Sequence, residues 1–308
     1  MIDSFFQHVT GLFTRRFVFN ALLPTLVFCT AAGAVVVASV SSFAAVSSWW
    51  KALDLASKVL AVLAYLAAVW FVAAAVASQW RGIVRLFEGY PLVRVMGRRT
   101  PGIRWHTDRM ETMAERDANV YYRYPTGEDE DRLMPTRLGN VLLAAESYPR
   151  ARYQIDPIIF WPRLFPMLPE QFQREYEEYI IAYEFPLVVS FQATAATVVS
   201  AGTLLVTRQG PELFLGVLAL GCVVAYAFYR LSLSAAEEYG EQLRTAFDLY
   251  RGRLLEAWPT VADVADEKEA FAAIHRFVVM AAEPGWADSQ ERHAVRNSPR
   301  SDVGADPQ

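Results

Sequence analysis

Four stretches of this chain are long apolar runs set in an otherwise polar sequence. The first extends from Phe17 to about Phe43 and the second from Val59 to Ala77, both without a charge; the third covers Pro186 to Val206 and the fourth Leu213 to Tyr229. A helix needs about 20 apolar residues to cross a ~30 Å hydrocarbon layer. The first three reach that length. The fourth reaches it only by including Leu231 and Leu233, with Arg230 extending its head back to the interface. The linkers inside each pair are short. One holds Trp49, Trp50 and Lys51, and the other runs from Thr207 to Glu212. The expected fold is mainly α: a polytopic membrane protein with one transmembrane hairpin over residues 17–79 and a second over 184–234. An α-rich insert, 80–183, separates them, and a helical segment, 235–282, follows.

The pattern changes in the polar regions. Phe5, Phe6, Val9, Leu12, Phe13 and Phe17 recur at helical spacing, so residues 1–16 are expected to form an amphipathic helix lying in the membrane interface. A mobile gate at the mouth of the bundle is the alternative. In the insert, a helix is expected near Asp108 to Tyr122. The run Glu128-Asp129-Glu130-Asp131 follows Pro125 and Gly127 and reads as a solvated loop, because it lacks the alternating ligand spacing of calcium loops. Asn140 to Ser147 reads as a short helix. Pro149, Pro157, Pro162, Pro166 and Pro169 then forbid a long one. The apolar residues among those prolines, from Ile158 to Leu168, belong either in the core of the insert or against the bilayer face. A helix is expected from Glu170 to Tyr183, feeding the third span. After the fourth span, Leu243, Phe247, Tyr250, Leu254 and Trp258 step by three or four residues and define one apolar face on an amphipathic helix over Ala235–Trp258. That face is a candidate for contact with the insert, with a second subunit or with a protein partner. Arg244, Asp248 and Arg251 are expected on its solvated side. The tail, 283–308, is polar and expected to be disordered.

Charge placement sets an expected orientation. Arg15 and Arg16 precede the first span and Arg81 and Arg85 follow the second, while the only basic residues of the two short linkers are Lys51 and Arg208, with Lys58 at an edge. The positive-inside rule puts both termini and the insert in the cytoplasm of a bacterial inner membrane. Formal net charge is −4, so a polybasic nucleic-acid binder is not expected.

Candidate chemistry is sparse. Cys29 and Cys222 lie inside apolar runs, and the four histidines lie far apart with no ligand spacing. There is no phosphate-binding glycine loop, no GxSxG elbow and no HExxH. No cofactor or metal is expected. No ionisable residue lies in the middle of a span, which argues against ion-coupled transport. Asn20, Gln192, Thr194 and Thr197 are candidates for interhelical hydrogen bonds, Pro24 for a kink, and Gly221 with Ala225 for close helix packing.

The most distinctive stretch is PTRLGNVLLAAESYPRARYQIDPIIFWPRLFPMLP, from Pro135 to Pro169. Its candidate functional or domain-organising residues are Arg137, Asn140, Glu146, Tyr148, Arg152, Tyr153, Asp156, Trp161 and Arg163. Glu146 and Asp156 could form an acid–base pair; the plainer reading makes them ion-pair partners of nearby arginines. The pattern TRLGN, AAExYP, RYxxD, WPRL resembles a family of bacterial, actinobacterial-type four-helix membrane proteins. That resemblance implies a topology and no activity. Three function classes follow. The first is a non-enzymatic, oligomeric inner-membrane scaffold or signalling component with a cytosolic protein partner. The second is a channel or membrane-perturbing effector gated by its cytosolic domain, as in bacterial stress or antiphage systems. The third is a membrane enzyme or transporter.

Overall fold

A computed structural model of the protein describes residues 15–114, 120–125, 127–258, 261, 264 and 266–280. The expected N-terminal interfacial helix, apart from its last residues, and the expected disordered tail lie outside the described residues. Every regular element among those described is helical. Four helices are long and apolar enough to cross a membrane.

The first of these, α1, joins a short helical start, Arg15–Phe17, to a π-helical turn, Val18–Leu22, and then to Leu23–Val40. Pro24 accounts for the irregularity. Proline has no N–H to return to the carbonyl four residues earlier, so the turn ahead of it widens. Helix α2, Phe43–Ala52, is capped by Ser42 and lies in the first linker. Helix α3, Leu55–Ser78, is capped by Asp54. Both caps accept a backbone N–H that the first helical turn leaves without a partner.

Two further helices are longer than the sequence pattern divides them. Helix α10, Glu170–Val206, continues unbroken through Pro186, fusing the expected polar helix and the third span. Helix α11, Pro211–Glu256, fuses the fourth span with the amphipathic helix beyond it. They pack side by side over much of their length. Small residues permit the approach: a Cβ added at Gly221 would fall on the Thr197 side chain. Ser190 Oγ donates to the Ala225 carbonyl at 2.8 Å. Thr194 and Thr197 bond back to their own helix, to the carbonyls of Ser190 and Ala193, and so do not bridge helices by hydrogen bonds as the sequence suggested.

The remaining helices build a polar body on the ends of α10 and α11. They are α4 (Trp80–Glu88), α5 (Tyr90–Met96), α6 (Pro101–Ala114), α7 (Val120–Arg123), α8 (Arg137–Tyr153), α9 (Pro157–Leu164) and α12 (Glu267–Met280). The expected helix near Asp108 to Tyr122 starts earlier, at Pro101, and residues 115–119 of it lie outside the described residues. The expected short helix at Asn140–Ser147 extends to Tyr153 and carries Pro149 within it. The body's main core joins Phe160, Leu164 and Leu168 to Leu243, Phe247, Leu254, Phe271 and Ile274. A second cluster, Leu138, Leu142, Tyr183, Leu187 and Leu233, lies where α8 meets α10 and α11. Of the two homes open to the proline-rich apolar stretch, most of it takes the core, while Ile158 stays exposed.

Candidate functional site

The distinctive stretch begins as a docking device. Thr136 caps α8: its Oγ1 accepts the Gly139 N–H at 3.1 Å and donates to the Glu88 carbonyl at 2.8 Å. Gly139 must be glycine, because a Cβ there would sit 2.4 Å from that same carbonyl. Asn140 is fully buried. Its Oδ1 accepts the Met134 N–H at 2.7 Å, and its Nδ2 donates to the carbonyls of Met134 and Thr136. The TRLGN segment thus fastens the start of α8 to the end of α4. Arg137 lines a small crevice with His106, Tyr124 and Glu237. His106 Nδ1 lies 3.0 Å from the Tyr124 hydroxyl. Burial, with Arg137 and Arg109 nearby, lowers its pKa to about 4, so the ring is neutral near pH 7.

The other end of α8 is held by a tyrosine–arginine–aspartate cluster. Tyr148 and Tyr153 both donate to the Asp248 carboxylate, at 3.0 Å and 2.7 Å. Burial and that carboxylate push both phenols above their ordinary range. Arg251 lies over the Tyr153 ring at 4.1 Å and pairs with Glu267 at 2.6 Å. Arg244, 2% exposed, lies over the rings of Tyr121 and Tyr122 and donates to the Tyr121 carbonyl. The expectation of a solvated side at Arg244, Asp248 and Arg251 is corrected: α7 and α8 cover it. Such burial is tolerable because each charge meets an opposite charge, a carbonyl or an aromatic face.

The opposite face of α11 is also occupied. Leu243, Phe247 and Leu254 are buried in the main core, and Tyr250 and Trp258 pack against it. Of the contacts that the sequence left open for this face, the chain itself supplies one, and an outside partner has no access to the three buried residues.

Asp156 caps α9 by accepting the Ile158 N–H at 3.0 Å and pairs with Arg150 at 3.3 Å. Arg150 also holds Asp129 at 2.9 Å, and Arg132 binds the same carboxylate at 2.8 Å. Asp129 is therefore buried and paired, a correction to the solvated loop expected for residues 128–131. Arg150, which nothing in the sequence singles out, joins both acids. Arg163 donates to the Ile159 carbonyl of its own helix, and Arg152 is exposed. Trp161 packs on Tyr176, ring centroids 4.6 Å apart.

Glu146 is near enough to Asp156 to feel its charge, although Asp156 itself is held by Arg150. Glu146 opens onto a hollow of about 160 Å³ walled by Trp161, Tyr176, Tyr239 and Leu243. Desolvation raises its pKa, against the pull of Arg150 and Arg132. The more affected acid is Glu88, raised to about 7 by burial first and by Glu146 second. No group of three metal-ligating side chains occurs among the described residues.

A third polar site lies where α1, α3 and α10 converge. The Arg16 guanidinium meets the Glu184 carboxylate through three contacts of 2.5–2.9 Å. Glu184 is 2% exposed, and Asn20 Nδ2 reaches it at 3.5 Å. Arg16 also lies over the Trp80 ring at 4.8 Å. About two helix turns beyond Glu184 on α10, Gln192 Nε2 donates to Thr25 Oγ1 of α1 at 3.0 Å. Glu184 gives no signal in the sequence, where it merely precedes the apolar run at Pro186. Only the helix that carries it inward, past Tyr183, brings it against Asn20. Comparison of the chain with family models, with curated proteins and with solved structures gives no match.

Proposed function

We propose that this protein is an integral membrane signalling or scaffold component of a bacterial inner membrane, with the polar body and both termini in the cytoplasm. One observation carries this reading: α10 and α11 run unbroken from their apolar segments into the core of the body. A helix transmits displacement along its length far better than a loop does. Binding to the body therefore shifts the spans, and a change among the spans shifts the body. Of the two acids a catalytic reading would use, Asp156 is taken up by a cap and an ion pair, whereas Glu146 lines a hollow. The charge distribution supports the orientation, because Arg16, Arg81 and Arg85 cluster at the body end of the spans.

With the α11 face covered, the surface for a protein partner is the exposed apolar side of α5 and α6. It carries Tyr90, Leu92, Val95, Met96 and Trp105. The test is co-purification from native membranes. Val95→Glu with Met96→Glu is expected to strip the partner while leaving the melting temperature unchanged. A complex that survives the double substitution overturns the reading.

The second reading is an oligomeric channel or membrane-perturbing effector. It rests on the spans themselves: Leu60, Leu63 and Phe71 of α3 and Leu215, Leu220 and Val223 of α11 are all exposed. That surface suits neighbouring copies as well as lipid. Light scattering corrected for detergent, followed by leakage from reconstituted vesicles, separates the two readings. A monomer in tight vesicles removes the channel.

A further inference from the structure

At the meeting of α1, α3 and α10 lies a cleft of about 240 Å³. Arg16, Asn20, Trp80 and Glu184 supply its polar side, and Val76 and Val188 its apolar side. Asn20 is 7% exposed, and its Oδ1 is buried with no hydrogen-bond partner. An orphaned acceptor at that depth carries a desolvation penalty that a donor would remove. The π-helical turn Val18–Leu22 places Asn20 there. Turns of this kind are frequent at functional sites. Arg81 lies over the same Trp80 indole as Arg16, at 5.3 Å. Glu184 neutralises Arg16, and Arg81, exposed and outside the cleft's lining, adds a positive charge beside Trp80.

We propose that this cleft holds the headgroup of an anionic, hydroxyl-bearing glycerophospholipid. The inference rests on the reading that these helices span a membrane. The phosphodiester lies against Arg81 and the exposed part of Arg16, a headgroup hydroxyl donates to Asn20 Oδ1, and the acyl chains leave past Val76 and Val188 into the bilayer. Each element of the cleft matches a part of such a molecule. Arginine recognises phosphate through charge-assisted bonds, indole occupies headgroup depth, and basic pockets between spans on the cytoplasmic side select anionic lipids. The bound headgroup would touch the Arg16–Glu184 pair directly, so lipid composition becomes an input to the contact between α1 and α10.

The experiment compares lipids on the full chain purified in detergent. Phosphatidylglycerol, phosphatidylethanolamine and phosphatidylcholine with identical acyl chains are titrated, and bound lipid is counted by native mass spectrometry. Soluble glycerol 3-phosphate is a further arm. Phosphatidylglycerol is expected to bind ~3- to 10-fold more tightly than phosphatidylcholine, the range one hydrogen bond and one added charge contact supply. Asn20→Leu, which removes the orphan and keeps the volume, is expected to lose that preference. Ala77→Phe, which fills the cleft from α3, is expected to lose it too. Equal binding of all three lipids overturns the site. Preference for phosphatidylethanolamine overturns the anionic class, and glycerol 3-phosphate binding as well as the lipid overturns the bilayer source. If Asn20→Leu raises the melting temperature with lipid preference intact, the orphan is only a buried polar group or a water site, and the proposal falls. Recovery of the protein in the aqueous fraction without detergent would instead defeat the membrane reading itself.

Discussion

Tyr153 donates its hydroxyl to Asp248 across 95 positions of sequence, tying the end of α8 to the polar half of α11. Tyr148 donates to the same carboxylate, so one acid anchors two phenols. Hydrogen bonds to a charged group are worth ~1.5–3 kcal/mol each. Asp248→Ala is expected to destabilise the body by ~2–4 kcal/mol, more than Tyr148→Phe or Tyr153→Phe alone. Denaturant melts of these variants and of the Tyr153→Phe, Asp248→Ala cycle check this; additive single effects would show that the bond contributes nothing.

Gly139 yields a sharper case. Its Cα faces the Glu88 carbonyl so closely that even a methyl group collides with backbone. Gly139→Ala is expected to cost ~2–3 kcal/mol through forced separation of α4 and α8, despite alanine's better helix propensity. An unchanged melting temperature would refute the contact.

Glu88 makes stability depend on pH. Its carboxyl titrates near 7 in the folded chain and near 4.5 unfolded, so the folded state binds more protons between those values. The contribution is full below about pH 4.5 and is lost as pH rises through about 7. Glu88→Gln is expected to flatten this part of the stability curve and to exceed the parent above pH 7 by on the order of 1–3 kcal/mol. Melting temperatures across pH 4–8 measure it. Glu146 shifts in the same direction, so part of the slope survives in the variant.

Phe247 separates a core role from a partner role. It is fully buried among Trp161, Leu243 and Leu254. Phe247→Ala is expected to cost ~3–5 kcal/mol in unfolding of the body. A stable variant that only loses a binding partner would return the face to intermolecular use.

The four apolar helices were legible because twenty apolar residues in a row have few other uses. Helix starts at Ser42, Asp54 and Asp156 follow local capping chemistry and involve only neighbouring residues. The continuity of α10 through Pro186 was not legible, since proline forbids one hydrogen bond and neighbouring helices decide whether that matters. The buried states of Arg244, Asp129 and Glu184 were equally hidden. Arg244 and Glu184 look solvated until residues more than a hundred positions away supply their partners, and Asp129 until Arg150, 21 positions on, folds back to it. TRLGN was visible as a pattern, but only the approach of α4 shows why threonine, glycine and asparagine take those places.

The ion pair between Arg16 and Glu184 also sets an order of assembly. Its two members are 168 residues apart. At ribosomal rates of ~5–20 residues per second, Arg16 is made roughly 10–30 s before its counter-ion exists. During that interval the first two spans are already available for insertion, and Arg16 has only water, headgroups and the Trp80 ring for company. Helices α10 and α11, joined by a four-residue turn, need no such wait for each other. On the proposed membrane reading, the nascent protein passes through a stage in which α1 is inserted but unlatched, and synthesis of the segment around Glu184 is the event that locks it.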